Sequence, residues 1–192
     1  MGQVGRIPKE RRQRDVSRAA SRVAILEAAR RVATRDGARD MSLRGVAAEA
    51  GFAPAALYGY FNSKDDLLLA LAADDLTSLA RAMRGTGGLA GAGTAALDLL
   101  RGAETMAAAS AALPGAGGGD AERLFNGRLI AALKALSDAS GMPSDSRESQ
   151  CDVVLVAASL AGLALLARSG RLEALGFSSD EMIARLDARF GA

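Results

Sequence analysis

Residues 42–64 constrain the fold most strongly, because they predict two short helices joined by a tight turn. Ser42 is a suitable N-cap for the first of these helices. Gly51 stands where that helix must end, since the position after a helix often needs a positive φ. Pro54 suits the first position of the next helix, where its missing N–H costs nothing. The segment is therefore predicted to be a helix-turn-helix, whose second helix fits the major groove of DNA.

Composition excludes several classes of enzyme. The 192 residues include no histidine and a single cysteine, Cys151. Ser/His/Asp and Cys/His catalytic sites are therefore excluded, and a zinc site is not expected. The glycines from Gly85 to Gly93 are predicted to form a linker, because they lack the Lys-Ser/Thr pair of a nucleotide-binding loop. No catalytic residue, metal or cofactor is expected.

The sequence also predicts a cytoplasmic protein without a membrane partner. The longest uncharged apolar run, residues 153–167, has 15 residues. A membrane-spanning helix needs roughly 20. The basic N-terminus has no apolar stretch behind it, so a signal peptide is not expected. A lone cysteine cannot form an internal disulfide, which also favours the cytoplasm.

Charge is distributed unevenly along the chain. Residues 1–64 contain 13 Lys/Arg and 6 Asp/Glu, a net charge of +7, whereas residues 65–192 contain 11 and 16, a net charge of −5. A basic N-terminal third suggests that this part meets a polyanion. The alternative is a chance clustering of solvated charges, which the neighbouring helix-turn-helix makes less attractive.

The rest of the chain predicts helices only. Apolar spacing, caps and glycine stops place them, besides the helix-turn-helix, at residues 17–36, 63–84, 94–113, 120–140, 147–169 and 179–190. No strand pattern is present, so the fold is predicted to be all-α. Residues 1–17 are predicted to be a flexible basic arm, which either contacts DNA or only aids solubility.

Residues 22–68 resemble the TetR family of bacterial transcriptional regulators. The resemblance is carried by Ile25–Ala29, Gly37, Ser42, Val46, Ala47, Ala50, Gly51, Leu57–Phe61 and Lys64. It implies a homodimer with two DNA-binding heads, and repression that a small molecule relieves. On this basis residues 18–64 form the DNA-binding domain, and residues 65–192 form the helical effector-binding and dimerisation domain.

Several side chains of the motif are candidate DNA contacts. Arg44 can pair with guanine or reach a phosphate. Ser42 caps its helix and can also bond a phosphate. Tyr58 and Tyr60 point away from the inward positions, and the family commonly uses them on phosphates. Lys64 opposes the dipole at the start of its helix, which suggests a phosphate contact, again as in the family.

The predicted recognition helix departs from the family in two places. Ala53 replaces the usual Ser or Thr cap, and the loss of such a cap costs about 1 kcal/mol. Gly59 replaces a larger residue, and a glycine within a helix costs roughly another 1 kcal/mol. The exposed residues Pro54, Ala55 and Ala56 offer only apolar contacts to DNA, such as thymine methyl groups. Ala53, Pro54 and Ala55 are among the predicted DNA contacts. Much of the readout is then expected to depend on DNA shape.

A dimer interface is predicted on the most apolar helix, residues 147–169, because its apolar residues occupy more than one stripe. Its small residues would let a partner helix approach closely. The alternative is a central core helix within one subunit. The predicted interface residues, including two from the last helix, are Val154, Ala157, Ala158, Ala161, Gly162, Leu165, Ile183 and Leu186.

An effector pocket is also predicted from the sequence. Its candidate residues, each of which also suits a plain core, are Met83, Met106, Leu113, Phe125 and Leu129. Few charges lie on the helix faces, which favours an apolar or amphipathic effector. The predicted function is a repressor that binds an inverted-repeat operator as a homodimer. The alternatives are a DNA-binding regulator without a small-molecule effector and, more remotely, a helical-bundle enzyme or carrier.

Overall fold

The computed structural model describes residues 9–102, 108–109 and 119–191, with side chains from residue 11 onward, and its regular structure is entirely helical. The prediction of an all-α fold is confirmed. In chain order the helices are α1 Lys9–Asp36, α2 Leu43–Ala50, α3 Pro54–Leu57, α4 Lys64–Met83, α5 Gly88–Arg101, α6 Asp120–Ser140, α7 Arg147–Arg168, α8 Arg171–Ala174 and α9 Ser179–Phe190. The chain divides into two compact units, Met1–Leu67 and Leu68–Ala192.

The first unit is built on the buried face of α1. Ile25 is fully buried and Val32 nearly so, on the helix that contacts α2 most extensively. Val46 and Ala47 form the buried face of α2. Leu57 of α3 is also fully buried, so each of the three helices contributes an apolar anchor to this unit.

The first helix is longer than the sequence analysis predicted. α1 begins at Lys9 rather than Ser17, so the second half of the predicted flexible arm is helical. No glycine or proline interrupts the 28 residues of α1, and Arg, Lys, Gln and Glu are good helix formers. The side chains of residues 11–20 are exposed. The first eight residues of the predicted arm lie outside the described residues.

The predicted glycine-rich linker is largely helical. α5 begins at Gly88, where a helix had been expected only from Thr94, and it ends at Arg101. The first turn of α5 has no side-chain cap of its own. Asp187 of α9 supplies one, since its carboxylate accepts a hydrogen bond from the backbone N–H of Ala90 at 3.1 Å. The remainder of the predicted helix 94–113 lies outside the described residues, apart from residues 102 and 108–109.

Tertiary packing explains why a glycine is acceptable within α5. A Cβ atom at Gly93 would lie 3.3 Å from Cγ2 of Ile183 and 3.5 Å from a methyl carbon of Leu160. The missing side chain therefore allows α5 to lie close to α7 and α9. Leu97, Leu163, Ala164, Leu172 and Ile183 form one buried cluster at this junction.

The later helices follow their sequence signals closely. α6 spans Asp120–Ser140 as predicted, and Gly141 follows it with a φ of 72°. α7 begins after Ser146, whose hydroxyl accepts a hydrogen bond from Ser149 N–H. α9 begins after Ser178, which forms a reciprocal capping box with Glu181. The short helix α8 was not predicted.

Within the part of the chain that the structure describes, one helix is long and apolar enough to cross a membrane, by length and composition alone. It is α7, whose 22 residues extend beyond the 15-residue run on which the opposite expectation rested. Core helices of soluble proteins pass the same test, so the finding is weak evidence for a membrane. Only 28% of its most apolar window is buried within the subunit, so α7 presents a largely uncovered apolar surface.

Candidate functional site

The helix-turn-helix forms with the caps that the sequence predicted. Ser42 adopts an extended conformation, and its hydroxyl accepts a hydrogen bond from Gly45 N–H at 3.1 Å. Gly51 ends α2 in the left-handed region with a φ of 72°. The N–H of Phe52 returns to the carbonyl oxygen of Ala47 at 2.9 Å, which closes the turn. These caps position α3 relative to α2.

The recognition helix is short. α3 comprises only Pro54–Leu57, and Ala53 before it makes no side-chain cap. Beyond the helix, the N–H groups of Tyr60 and Phe61 both donate to the carbonyl oxygen of Leu57 at 2.9 Å. Leu57 is fully buried and Phe61 almost fully buried, so apolar side chains anchor residues 57–61 at both ends.

Two arginines of α1, which the sequence analysis did not single out, hold the chain after α3. Arg18 donates a hydrogen bond to the carbonyl oxygen of Gly59 at 2.6 Å, and its guanidinium lies 5.2 Å from the ring centre of Tyr60. The guanidinium of Arg22 lies 4.7 Å from the ring centre of Phe61. Burial, together with the charge of Arg18, lowers the pKa of Arg22. Their four-residue spacing, which puts two cations on one helix face, was the available signal.

The predicted DNA contacts on α2 and α3 are accessible. Ser42, Arg44, Ala53, Pro54 and Ala55 are all exposed. All of them belong to the first compact unit, and this exposure fits a surface that can meet a nucleic acid. Their roles stay predictions.

The two tyrosines differ in their surroundings. Tyr58 is 59% exposed. Tyr60 is half-buried, and its ring meets Phe52 edge to face at a centroid distance of 6.4 Å. The ring of Tyr60 contacts both Phe52 and Arg18 and is held in place by them. The exposed Tyr58 can turn toward a ligand.

Lys64 has a structural partner that the sequence did not predict. Its ammonium group donates a hydrogen bond to the carbonyl oxygen of Arg39. Ser63 caps the same helix by accepting a hydrogen bond from Asp66 N–H at 3.0 Å. A phosphate bound by Lys64 would have to share or replace the Arg39 carbonyl.

Other arginines of the basic unit are engaged in ion pairs between α1 and α2. Arg31 contacts the Glu49 carboxylate at 2.7 Å, and Arg35 contacts its second oxygen at 3.1 Å. Hydrogen bonds from Arg31, and then from Arg35, lower the pKa of Glu49. These two cations therefore serve the junction of α1 and α2, and the excess positive charge of the unit is not all available to DNA.

Described residues of the second unit line two cavities of different size. The smaller, of about 290 Å³, is lined by Met83 and Leu129 among the predicted pocket residues. Phe125 is buried but is not among its described lining residues. The larger, of about 600 Å³, lies between α6 and the first half of α7 and includes Lys134 and Arg147 in its lining. Met106 and Leu113 lie outside the described residues.

From Cys151 to Leu165 the exposed face of α7 is continuous and carries no exposed charged residue. It consists of Cys151, Val154, Leu155, Ala158, Ser159, Ala161, Gly162 and Leu165. These residues recur at three- and four-residue intervals, so they share one side of the helix. A Cβ atom at Gly162 would meet nothing within 4 Å. Ala157, at the edge of this face, is half-buried.

The two interface residues predicted on α9 lie differently. The prediction for Ile183 is wrong, because this side chain is 4% exposed and packs in the cluster with Leu97 and Leu163. Leu186 is half-buried against the same cluster. The apolar face of α9 therefore turns inward to α5 and α7, a distinction that its sequence pattern does not contain.

The described residues contain no group of three or more His, Cys, Asp or Glu that could hold a metal ion. The single cysteine, Cys151, is exposed.

Comparisons with known proteins agree with this architecture. Residues 25–71 match the family model described as bacterial regulatory proteins, tetR family. A comparison with curated proteins gives no significant match.

Among solved structures, a TetR transcriptional regulator from Rhodococcus sp. RHA1 is similar with a TM-score of 0.67 and 24% identity, over 88% of this chain and 94% of that one. A TetR-family regulator from Streptomyces coelicolor has a TM-score of 0.60 and 20% identity, over 88% and 99%. The regulator FadR from Bacillus subtilis, solved with stearoyl-CoA, has a TM-score of 0.58 and 15% identity, over 85% and 94%. At these identities the likeness establishes the fold.

Proposed function

We propose that this chain, which belongs to the TetR family of bacterial transcriptional regulators, is a repressor that a small molecule releases from its operator. The observation that carries the proposal is the helix-turn-helix within residues 25–71, which is capped by Ser42 and Gly51 and exposes Arg44 and Tyr58. DNA binding and regulation follow from the family. Repression, release by a ligand and action in the cytoplasm are the further steps proposed here.

Arg44 is proposed to read a base edge, because it is exposed near the start of α2 and a guanidinium can pair bidentately with guanine. Tyr58 and Ser42 are proposed to contact phosphates, with Tyr60 and Lys64 contributing from less mobile positions. Ala53, Pro54 and Ala55 supply apolar contact to the groove. In this arrangement residues 18–64 are the DNA-binding domain.

The chain is proposed to act as a homodimer that pairs through the exposed face of α7. This face has no charge between Cys151 and Leu165, so it is compatible with a second copy of itself. The open space at Gly162 suits the close approach of a partner helix. Two-fold symmetry of the protein would then impose an inverted repeat on the operator.

Residues 65–192 are proposed to bind the effector as well as the partner. The cavity of about 290 Å³ supports this, since it is lined by apolar side chains from several helices of the second unit. The alternative, a regulator without a small-molecule effector, is separated by thermal-shift measurements against a metabolite library. A ligand that binds only the folded state raises Tm, and no hit across the library would favour the alternative.

Selection of genomic DNA fragments bound by the full chain tests the central proposal. We expect a consensus with a dyad, and sedimentation at micromolar concentration should give twice the chain mass. Replacing Gly162 with Leu should weaken the dimer by overpacking the interface. A consensus without a dyad, or a monomeric wild type, would contradict the proposed assembly.

A further inference from the structure

We propose that the smaller cavity binds a neutral apolar molecule about the size of naphthalene, and that the partner subunit completes the site. This inference rests on the proposed dimer and effector domain. The cavity volume is about 290 Å³. A cavity of about 150 Å³ lined by apolar side chains holds benzene, so roughly twice that volume suits two fused rings.

The lining defines the chemical class of the ligand. The described residues that line the cavity are Leu76, Leu79, Met83, Ala96, Leu100, Leu129, Ala132, Leu133, Leu136, Val154, Ala157, Ala158, Leu160 and Ala161. None of these side chains carries a charge or a hydroxyl or amide group. A carboxylate or ammonium group placed among them would lose its hydration without gaining a partner, which is costly. The described part of the lining therefore favours a hydrocarbon or a similarly neutral molecule.

One wall of the cavity is also the exposed face of α7. Val154 is 51% exposed and lines the cavity at the same time. Ala158 and Ala161 are likewise exposed and line the cavity, and their side chains are single methyl groups. Val154, Ala158 and Ala161 thus border both the cavity and the face that a second copy would cover. A partner helix packed on this face would shield the bound ligand from water.

The shared wall couples ligand binding to dimerisation. A ligand that is better shielded in the dimer binds the dimer more tightly than the monomer. By linkage it must strengthen the dimer by the same factor. Occupancy of the cavity is then sensed at the dimer interface directly, through the residues that belong to both surfaces.

The ligand class is tested with naphthalene as a fluorescent probe of the full chain, beside 2-naphthoate, which adds one carboxylate. We expect 2-naphthoate to bind at least about tenfold more weakly than naphthalene. Ala132→Leu fills the cavity from α6 and should lower the affinity for naphthalene, with Ala96→Val as a second filling variant from α5. Ala188→Leu, at an exposed position of α9, is the matched control and should leave the affinity unchanged.

The coupling is tested with Leu165→Glu, which places a charge on the exposed face of α7 at a residue outside the cavity lining. We expect this variant to weaken both the dimer and naphthalene binding, and naphthalene to raise the dimer fraction of the wild type. Leu175→Glu changes an exposed leucine outside α7 and should alter neither property.

Each outcome decides one part of the inference. Equal naphthalene affinity in the dimer and in the Leu165→Glu monomer overturns the coupling. Equal binding of 2-naphthoate overturns the neutral class and points to a head group near Lys134 and Arg147 in the larger cavity. Operator binding is measured on the same samples. A protein that binds DNA but not naphthalene overturns this inference alone, whereas one that binds no DNA overturns the proposed function.

A different observation, in the first unit, assigns a role to Arg18: we infer that it is a positioning residue for the recognition helix. α3 has four residues and no side-chain cap, and Gly59 follows it. Arg18 donates to the carbonyl oxygen of Gly59 and lies over the ring of Tyr60. Arg18 belongs to α1, the longest helix of the described chain. Its contacts therefore connect the segment after α3, a helix without a side-chain cap, to this long helix.

This role differs from that of an arginine that neutralises a phosphate. A positioning arginine affects operator DNA, which needs α3 in its proper place, more than scrambled DNA. A phosphate contact affects both DNAs alike and changes the dependence of binding on salt. Lysine keeps the charge but lacks the planar guanidinium that donates to Gly59 while it lies over a ring.

Binding of Arg18→Gln and Arg18→Lys to operator and scrambled DNA across a salt series tests the inference. We expect both variants to lose operator preference, with the salt slope of Arg18→Lys unchanged. Hydrogen exchange in the free protein should become faster at residues 54–61. Arg14→Gln, which removes an exposed arginine one turn earlier on α1, is the control and should leave exchange there unchanged. Full rescue of operator preference by Arg18→Lys, or unchanged exchange in Arg18→Gln, would overturn the assignment.

Discussion

The contacts that join the helices within the first unit differ in kind from those within the second. In the first unit, arginines of α1 reach α2 and the end of α3 through a carboxylate, a carbonyl oxygen and two aromatic rings. In the second unit, α5, α7 and α9 meet through aliphatic side chains packed around Gly93. Both units have buried apolar residues, but the first adds charged and hydrogen-bonded contacts between its helices, whereas the contacts among α5, α7 and α9 of the second are mainly aliphatic.

This difference suits the separate tasks proposed for the two units. A basic head must keep its cations near the surface to meet DNA, and it uses some of them to fix its own helices. An effector domain needs a cavity with rigid apolar walls, which close packing supplies. Perturbations of volume should therefore damage the second unit most, and perturbations of charge should act on the first.

The largest effect is expected from Leu97→Ala. Leu97 is 2% exposed within the cluster that joins α5, α7 and α9, so its truncation should lower the free energy of unfolding by about 2–5 kcal/mol. Hydrogen exchange should show the loss of protection in these three helices. Leu99→Ala, two residues away at 41% exposure, is the control and should cost far less. Equal losses for the two variants would contradict a volume-limited second unit.

The next effect concerns DNA binding by the first unit. Arg44→Ala should weaken operator binding by about 1–3 kcal/mol and flatten the preference at one base pair per half-site. Lys64→Ala should instead weaken binding to all sequences and reduce the salt slope by about one per subunit. Both are measured on operator and scrambled DNA over a salt series.

The hydrogen bond from Lys64 to the Arg39 carbonyl oxygen allows a second interpretation of the Lys64→Ala result. An unchanged salt slope in Lys64→Ala, together with a lower melting temperature, would assign Lys64 to the structure of the head rather than to a phosphate.

Local signals in the sequence predicted much of the fold. Ser42, Gly51 and Ser178 are caps that act within a few residues, and the helices beside them begin or end where predicted. α6 was predicted with its observed bounds because Gly141 ends it locally. Such features can be predicted from one sequence because the partner groups are neighbours in the chain.

The predictions that failed concern residues whose partner groups are distant in the chain. Gly93 lies within a helix because Ile183, 90 positions later, occupies the space beside it. Ile183 is buried for the same reason, although its spacing on α9 also fitted a dimer interface. The contact of Arg18 with Gly59 spans 41 positions and left only a weak trace in the sequence. Contacts between distant segments decide these cases, and amphipathic spacing does not encode the partner.

A smaller gain is expected from restoring a cap to the recognition helix. Ala53 has an extended backbone, with φ −64° and ψ 137°, and makes no side-chain cap. Ala53→Ser should therefore stabilise α3 by about 1 kcal/mol. Slower hydrogen exchange at residues 54–57 would show the gain, and Ala55→Ser within the helix is the control. Unchanged exchange in Ala53→Ser would mean that packing of Leu57 alone holds α3.

The smallest effect is expected from the ion pairs of Glu49, because exposed pairs contribute little and salt screens them. Arg31 and Arg35 lower the pKa of Glu49 in the folded state, so the pairs stabilise the first unit above the ordinary pKa of a glutamate, about 4.3. The stabilisation is lost as the pH falls through the lowered folded pKa. The difference in melting temperature between wild type and Glu49→Gln should therefore shrink in acid and in high salt. Glu27→Gln removes an exposed carboxylate from α1 and controls for the change in net charge. A difference that persists unchanged in acid would show that Glu49 stabilises the junction of α1 and α2 through packing. The contrast between the charged contacts of the first unit and the aliphatic contacts of the second would then fail at this junction.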